Sequence, residues 1–362
     1  MRSQMRIKAS AMNQLAEAMS RPRRLSTAER VVVIAAVGIF ILLIPEFTTS
    51  RHLFLATVTG TTAIAVYGLA VIFGQAGILS LAHAGLWAIG AYTGAIFFRE
   101  FGWSYWAVLP LGIILSSVAA ALLAYPALRI RGHFFLIATF GFGELVRIVL
   151  ENGEGFKSGR RLGLIVQGGM PDFLGVGLQS ANSIYYVTVA YLVIAIVAVY
   201  LIRRSGFGAT MRAVRENEDL AESIGIRLAR TKIIAFTLSG AFTGAAGVHY
   251  AFLLRHIEPS LFGAQDGIEL ALMVLLGGAV PLLGPLVGTA VVLFVPELPF
   301  AENPNYVQIA YGLALILLIL LLPRGMVAGI KALYIQIRDI LLSTLRPPPE
   351  PPPEPTPDTA DG

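Results

Sequence analysis

Residues 184–202 read IYYVTVAYLVIAIVAVYLI, an uncharged run closed by the basic pair Arg203 and Arg204. A bilayer core about 30 Å thick is crossed by about 20 apolar helical residues, and this run has that length and that border. Hydrocarbon offers a bare backbone no hydrogen-bond partner, so such a run is a helix whose amides are satisfied internally. A barrel strand would instead show about ten residues of alternating polarity. Similar apolar runs lie at 31–45, 53–73, 77–98, 106–127, 134–150, 233–254, 268–280, 285–298 and 306–322. The expected fold is all-α, a polytopic membrane protein of about ten transmembrane helices, some of them short or broken.

Composition agrees. Hydrophobic residues make up 56% of the chain and charged residues 14%, against about 25% charged in soluble domains; the mean hydropathy is +0.73. Cytoplasmic loops of membrane proteins carry an excess of Lys and Arg. With the N-terminus placed inside and the spans alternating, only Arg51, Arg99, Arg147, Lys157, Arg160, Arg161 and Arg255 of the 27 basic residues fall outside. That asymmetry predicts N-in, C-in topology and an even number of spans. It also accounts for the net charge of +5 without nucleic acid. The first apolar run, Val31 to Ile44, lacks a small-residue cleavage site after it and is read as a retained span.

The expected organisation is a basic cytoplasmic segment at 1–30, a transmembrane domain at 31–330, a cytoplasmic segment at 331–346 and a proline-rich disordered tail at 347–362. Proline repeats favour extended polyproline II and bury no core. Within the domain, 151–183 forms an outer, periplasmic loop and 203–232 the largest inner loop. There are no cysteines, so neither disulfides nor thiolate metal sites are available. No phosphate-binding loop of the Gly-x-x-x-x-Gly-Lys-Ser/Thr type occurs, no catalytic triad or zinc signature stands out, and no cofactor is expected.

The inner loop holds the most informative soluble stretch, about 210–225. Ala213, Asn217, Leu220, Ala221 and Ile224 share one face at helical spacing. Arg212, Arg215, Glu216, Glu218, Asp219 and Glu222 fill most of the rest, and Gly225 supplies a stop. Helices that lie on membranes have larger apolar side chains and a mainly basic polar face. This small, mixed-charge helix fits a socket on another protein better than lipid.

Inside the membrane, Gln75, Ser80, His83 and Tyr92 are polar residues of one glycine-rich block, with Ser80 and His83 spaced to share a helix face. His83 reads either as a packing residue or as a contact along a transport path; a metal is not supported, since no second ligand stands near it. Glu144 and Arg147 are three apart and form a candidate structural ion pair. Gly277 and Gly278, followed by Pro281, Gly284 and Pro285, would interrupt a helix. Interrupted helices in transporters expose backbone dipoles at the midplane, so Gly277 and Gly278 join the candidates for the translocation path.

The run RAVRENEDLAESIGI (212–226) resembles the coupling-helix motif of LivM-type permeases of branched-chain amino acid ABC importers. The blocks GQAGILSLAHAGLWAIGAYTGA (74–95), LRIRGHFFLIATFGFGELVRIVLEN (128–152), LALMVLLGGAVPLLGPLVGTAVV (270–292) and PRGM (323–326) are similar to the same family in the same order. The resemblance implies a multi-pass subunit of the bacterial inner membrane that is not itself an enzyme. It also implies a LivH-type permease partner, two ABC ATPase subunits that dock on the coupling helix, a periplasmic solute-binding protein and surrounding membrane lipid. The chain departs from the family at KSGRRLGLIVQGG (157–169), where Arg160 and Arg161 replace small polar residues, and at Val280 and Pro281. Both departures bear on the solute: branched-chain amino acids, or related amino acids, urea-like amides or small carboxylates. An ion-coupled carrier or channel is the competing class, but it expects more embedded carboxylates. An intramembrane enzyme would need His, Asp and Glu converging on facing spans, and the five histidines are scattered.

Overall fold

The computed structural model describes residues 45–127, 133–153, 163–166 and 180–294, with positions 312, 316, 326, 327 and 329. All but position 329 belong to one compact unit, 31–328. Nearly all of the expected spans at 306–322 and 31–45, the terminal segments with the proline-rich tail, and Arg160 and Arg161 lie outside the described residues.

The described chain is helical. It comprises α1 (Ser50–Val71), continued by one π-turn (Ile72–Ala76), α2 (His83–Phe101), α3 (Tyr105–Ala127), α4 (His133–Asn152) and α5 (Ala181–Arg204). Two short helices follow, α6 (Gly206–Glu216) and α7 (Glu218–Ser223), and then α8 (Leu228–Leu254), α9 (Ala264–Gly277) and α10 (Gly284–Phe294). Among the described residues, four segments are long and apolar enough to cross a bilayer: Ser50–Ala76, Tyr105–Pro126, Ala181–Arg204 and Leu228–Leu254. The all-helical expectation takes one small addition. Leu164–Ile165, between α4 and α5, pairs antiparallel with His256–Ile257, just beyond α8, with Leu164 opposite Ile257.

Helix α8 is the hub, packed against α1, α2 and α3. Lipid tails are as apolar as leucine, so helices in a membrane gain by close backbone approach at small residues. Here Gly247 meets the backbone of Trp87 and Ala91 on α2, Gly90 lies on the backbone of Gly244, and a Cβ on Gly240 would stand 2.7 Å from the Ser116 carbonyl of α3. Most of α1 is buried as well, whereas α3 and α5 expose Ile114, Val118, Leu122, Ile194 and Leu201, the outer surface that lipid or another apolar helix covers. Buried threonines do not strand their hydroxyls: Thr57, Thr188, Thr243 and Thr289 each donate to the carbonyl four residues back.

Two local expectations are corrected. The run 77–98 is not one helix: residues 77–82 are irregular and α2 begins at His83. Gly77 has φ 73°, the left-handed region that glycine enters freely, and the Leu81 amide is held by the Thr139 hydroxyl of α4 at 3.2 Å. Ser80 therefore precedes the helix and shares no helix face with His83. The stretch 210–225 is not one helix either. Asn217 is extended (φ −160°, ψ 112°) and its side chain accepts from the Leu220 amide at 2.9 Å, capping α7; asparagine competes well for backbone donors and so favours caps over helix interiors. The interruption after Gly277 lies beside Arg203, at the basic end of α5.

Candidate functional site

The loop 203–232 folds as a hairpin of two short helices. Ser205 caps the first by accepting from the Gly208 amide at 3.1 Å, and Met211 and Val214 of α6 are buried. In α7 only Ala221 is buried; Leu220 is 62% and Ile224 69% exposed. Of the expected face, then, Ala221 turns inward and the two large apolar residues turn out, flanked by exposed Arg215, Glu216, Asp219 and Glu222. Glu218 pairs with Lys232 at the start of α8 at 2.6 Å. Together with Glu222, Arg227, Leu228, Ala229 and Arg230 they line a groove of about 510 Å³. Gly225, with φ 89°, ends the hairpin.

The inward side of the hairpin meets two interrupted helices. Arg215 donates from Nη1 to the Gly74 carbonyl at 2.6 Å, and Arg212 donates to the Gln75 side-chain oxygen at 3.3 Å and to the Arg203 carbonyl at 2.8 Å. Gly74 and Gln75 belong to the π-turn that ends α1, where the i→i+4 ladder is broken. Arg203 donates in turn to the carbonyls of Ala279 (2.9 Å) and Val280 (2.5 Å), in the gap between α9 and α10. Gly278 opens that gap with φ 90°, ψ 127°. A Cβ on Gly74 would lie 2.5 Å from the Ala279 carbonyl oxygen, so the π-turn and the gap touch. On the other side, Tyr67 donates to the Leu282 carbonyl at 2.8 Å.

The remaining sequence candidates fall elsewhere. His83 is fully buried, with Nε2 2.6 Å from the Ser239 hydroxyl, which itself donates to the Gly68 carbonyl at 2.7 Å; the trio locks α2, α8 and α1 together. Tyr92 packs edge-on to Phe262 (6.2 Å between centroids), within a group that includes Trp87 and Tyr250. Arg147 bridges Glu144 at 2.5 Å and Glu151 at 2.7 Å along α4. Of the translocation-path candidates, Gln75, Gly277 and Gly278 come together beside the hairpin; Ser80, His83 and Tyr92 do not join them. Arg203 is the residue that sequence reading missed. A basic residue ending a membrane helix is so ordinary that nothing in its context sets it apart.

The profile of a family described as "Branched-chain amino acid transport system / permease component" matches residues 52–322. The chain belongs to that family. This permease is 29% identical to the high-affinity branched-chain amino acid transport system permease protein LivM of Salmonella typhimurium, over 83% of this chain and 76% of the relative. It is 28% identical to LivM of Escherichia coli over the same shares. It is also 23% identical to the guanosine ABC transporter permease protein NupQ of Bacillus subtilis, over 60% of this chain and 73% of the relative. No solved structure matches it. Among its described residues no cluster of three His, Asp or Glu side chains is placed to hold a metal.

Proposed function

We propose that this permease is one membrane-spanning subunit of an ATP-driven importer in the bacterial inner membrane, forming part of the path for branched-chain or related amino acids. The proposed topology is N-in, C-in with about ten spans, and the partners are a LivH-type permease, two ABC ATPase subunits and a periplasmic solute-binding protein. ATP hydrolysis is assigned to the ATPase subunits. The observation that carries this reading is the hairpin: it presents Leu220 and Ile224 to solvent in a ring of mixed charge while its other side is fixed to the membrane helices. A buried apolar centre with a polar rim is the anatomy of a protein interface. The amino acid assignment leans on the printed activity of the LivM relatives. The guanosine relative keeps the solute class open to measurement.

The test is solute uptake by vesicles carrying the full assembly, with and without ATP, for the unaltered chain and for Leu220→Asp with Ile224→Asp. ATP-dependent uptake that the double change abolishes, with loss of ATPase co-purification, supports the reading. Uptake that persists without ATPase subunits overturns it in favour of an ion-coupled carrier.

A further inference from the structure

We propose that Arg203, with Arg212 and Arg215, is a positioning residue of the transport cycle: the three guanidinium groups carry displacement of the docking hairpin into the π-turn and into the gap between α9 and α10. The proposal rests on the docking reading and goes beyond it by naming the links. Helix interruptions leave carbonyls without their intrahelical partners, and near hydrocarbon those carbonyls must find donors elsewhere. At both interruptions donors come from the hairpin or from the residue that leads into it, and at the gap Tyr67 of α1 adds one more. Arg215 serves Gly74. Arg203, two residues before the capping Ser205, serves Ala279 and Val280. Arg212 closes the chain of contacts by binding the Arg203 carbonyl and Gln75.

The acceptors matter as much as the donors. None of the three arginines has a carboxylate partner among the described residues. Their hydrogen bonds run to neutral oxygens, and all but the one to the Arg203 carbonyl reach segments that regular helix geometry does not fix. A planar guanidinium reaching two consecutive carbonyls sets orientation as well as distance, which an ammonium point charge does not. The gap is gripped from two sides, by Arg203 at Ala279 and Val280 and by Tyr67 at Leu282, and Gly74 lies against it. A shift of the hairpin thus changes the hydrogen bonding of both interruptions together.

The experiment compares ATP hydrolysed per solute imported in the full assembly for the unaltered chain, Arg203→Gln, Arg203→Lys and Arg204→Gln. Arg204 lies over the Tyr200 ring, 4.6 Å from its centre, and controls for loss of charge. The expected result for Arg203→Gln is ATPase subunits still bound, hydrolysis continuing, and solute imported per ATP lower by about tenfold, a common size for coupling between sites. Arg203→Lys falls between, and Arg204→Gln matches the unaltered chain. Because the chain has no cysteine, a single Leu283→Cys change supplies a second readout. Its rate of labelling in the assembled transporter should respond to ATP with Arg203 present and not in Arg203→Gln. ATP-dependent uptake with an unchanged ratio in Arg203→Gln, or equal labelling responses, overturns the clamp while leaving the docking reading intact. ATP-independent uptake by the unaltered assembly overturns both.

Discussion

Gly74 and Ala279, more than two hundred residues apart, touch so closely that a Cβ on the glycine would stand 2.5 Å from the alanine's carbonyl oxygen. The obstacle is backbone and cannot swing aside, and the same carbonyl accepts from Arg203. Even one added methyl group must push the π-turn away from the α9–α10 gap. Gly74→Val is therefore expected to cost about 1–3 kcal/mol, the usual range for overpacking a tight site. It should lower the melting temperature in detergent and reduce uptake more than hydrolysis. An unchanged melting temperature would show that the two segments are not in contact in the working protein.

Ser239→Ala removes a hydroxyl that both His83 Nε2 and the Gly68 carbonyl use. Leaving buried polar groups without a partner costs about 1–3 kcal/mol. If His83 serves packing alone, the variant melts earlier but keeps its KM for solute. A large rise in KM at unchanged stability would instead put His83 on the solute path.

The Glu144–Arg147–Glu151 cluster leaves Arg147 with 26% of its side chain exposed. Ion pairs this open contribute about 0–1 kcal/mol, so Arg147→Gln should shift the melting temperature of the isolated permease only slightly. A loss of several degrees appearing only in the full assembly would indicate that a partner covers the cluster.

Glu218→Gln breaks the pair with Lys232, which is also partly exposed. Stability should change by less than about 1 kcal/mol, whereas ATPase binding should weaken if α7 must be held at a fixed angle. Co-purification at graded salt measures this directly.

The membrane character and most helix positions were legible in the sequence because hydrocarbon permits so few solutions. Length, apolarity and basic borders located 184–202 and 233–254 to within a few residues of α5 and α8. The interruptions were harder. Gly277, Gly278 and Pro281 announced a break, but its depth depends on which neighbour reaches it, and periodicity says nothing of Arg203. Likewise Asn217 fits a helix face by spacing, and only its competition for the Leu220 amide ends α6 there. Ser80 and His83 were given a shared face by counting residues through a stretch that the left-handed turn at Gly77 had already unwound.

The break at Asn217 has a mechanical consequence. An unbroken helix would pass a pull on Leu220 along a single axis. With the axis interrupted, the load divides at Glu218. One branch runs back through Asn217 into α6 and its two arginines, and the other crosses to Lys232 and enters α8, the helix on which α1, α2 and α3 all rest. A partner gripping two exposed side chains thus pushes the interruptions and the hub at once, from one point of hold.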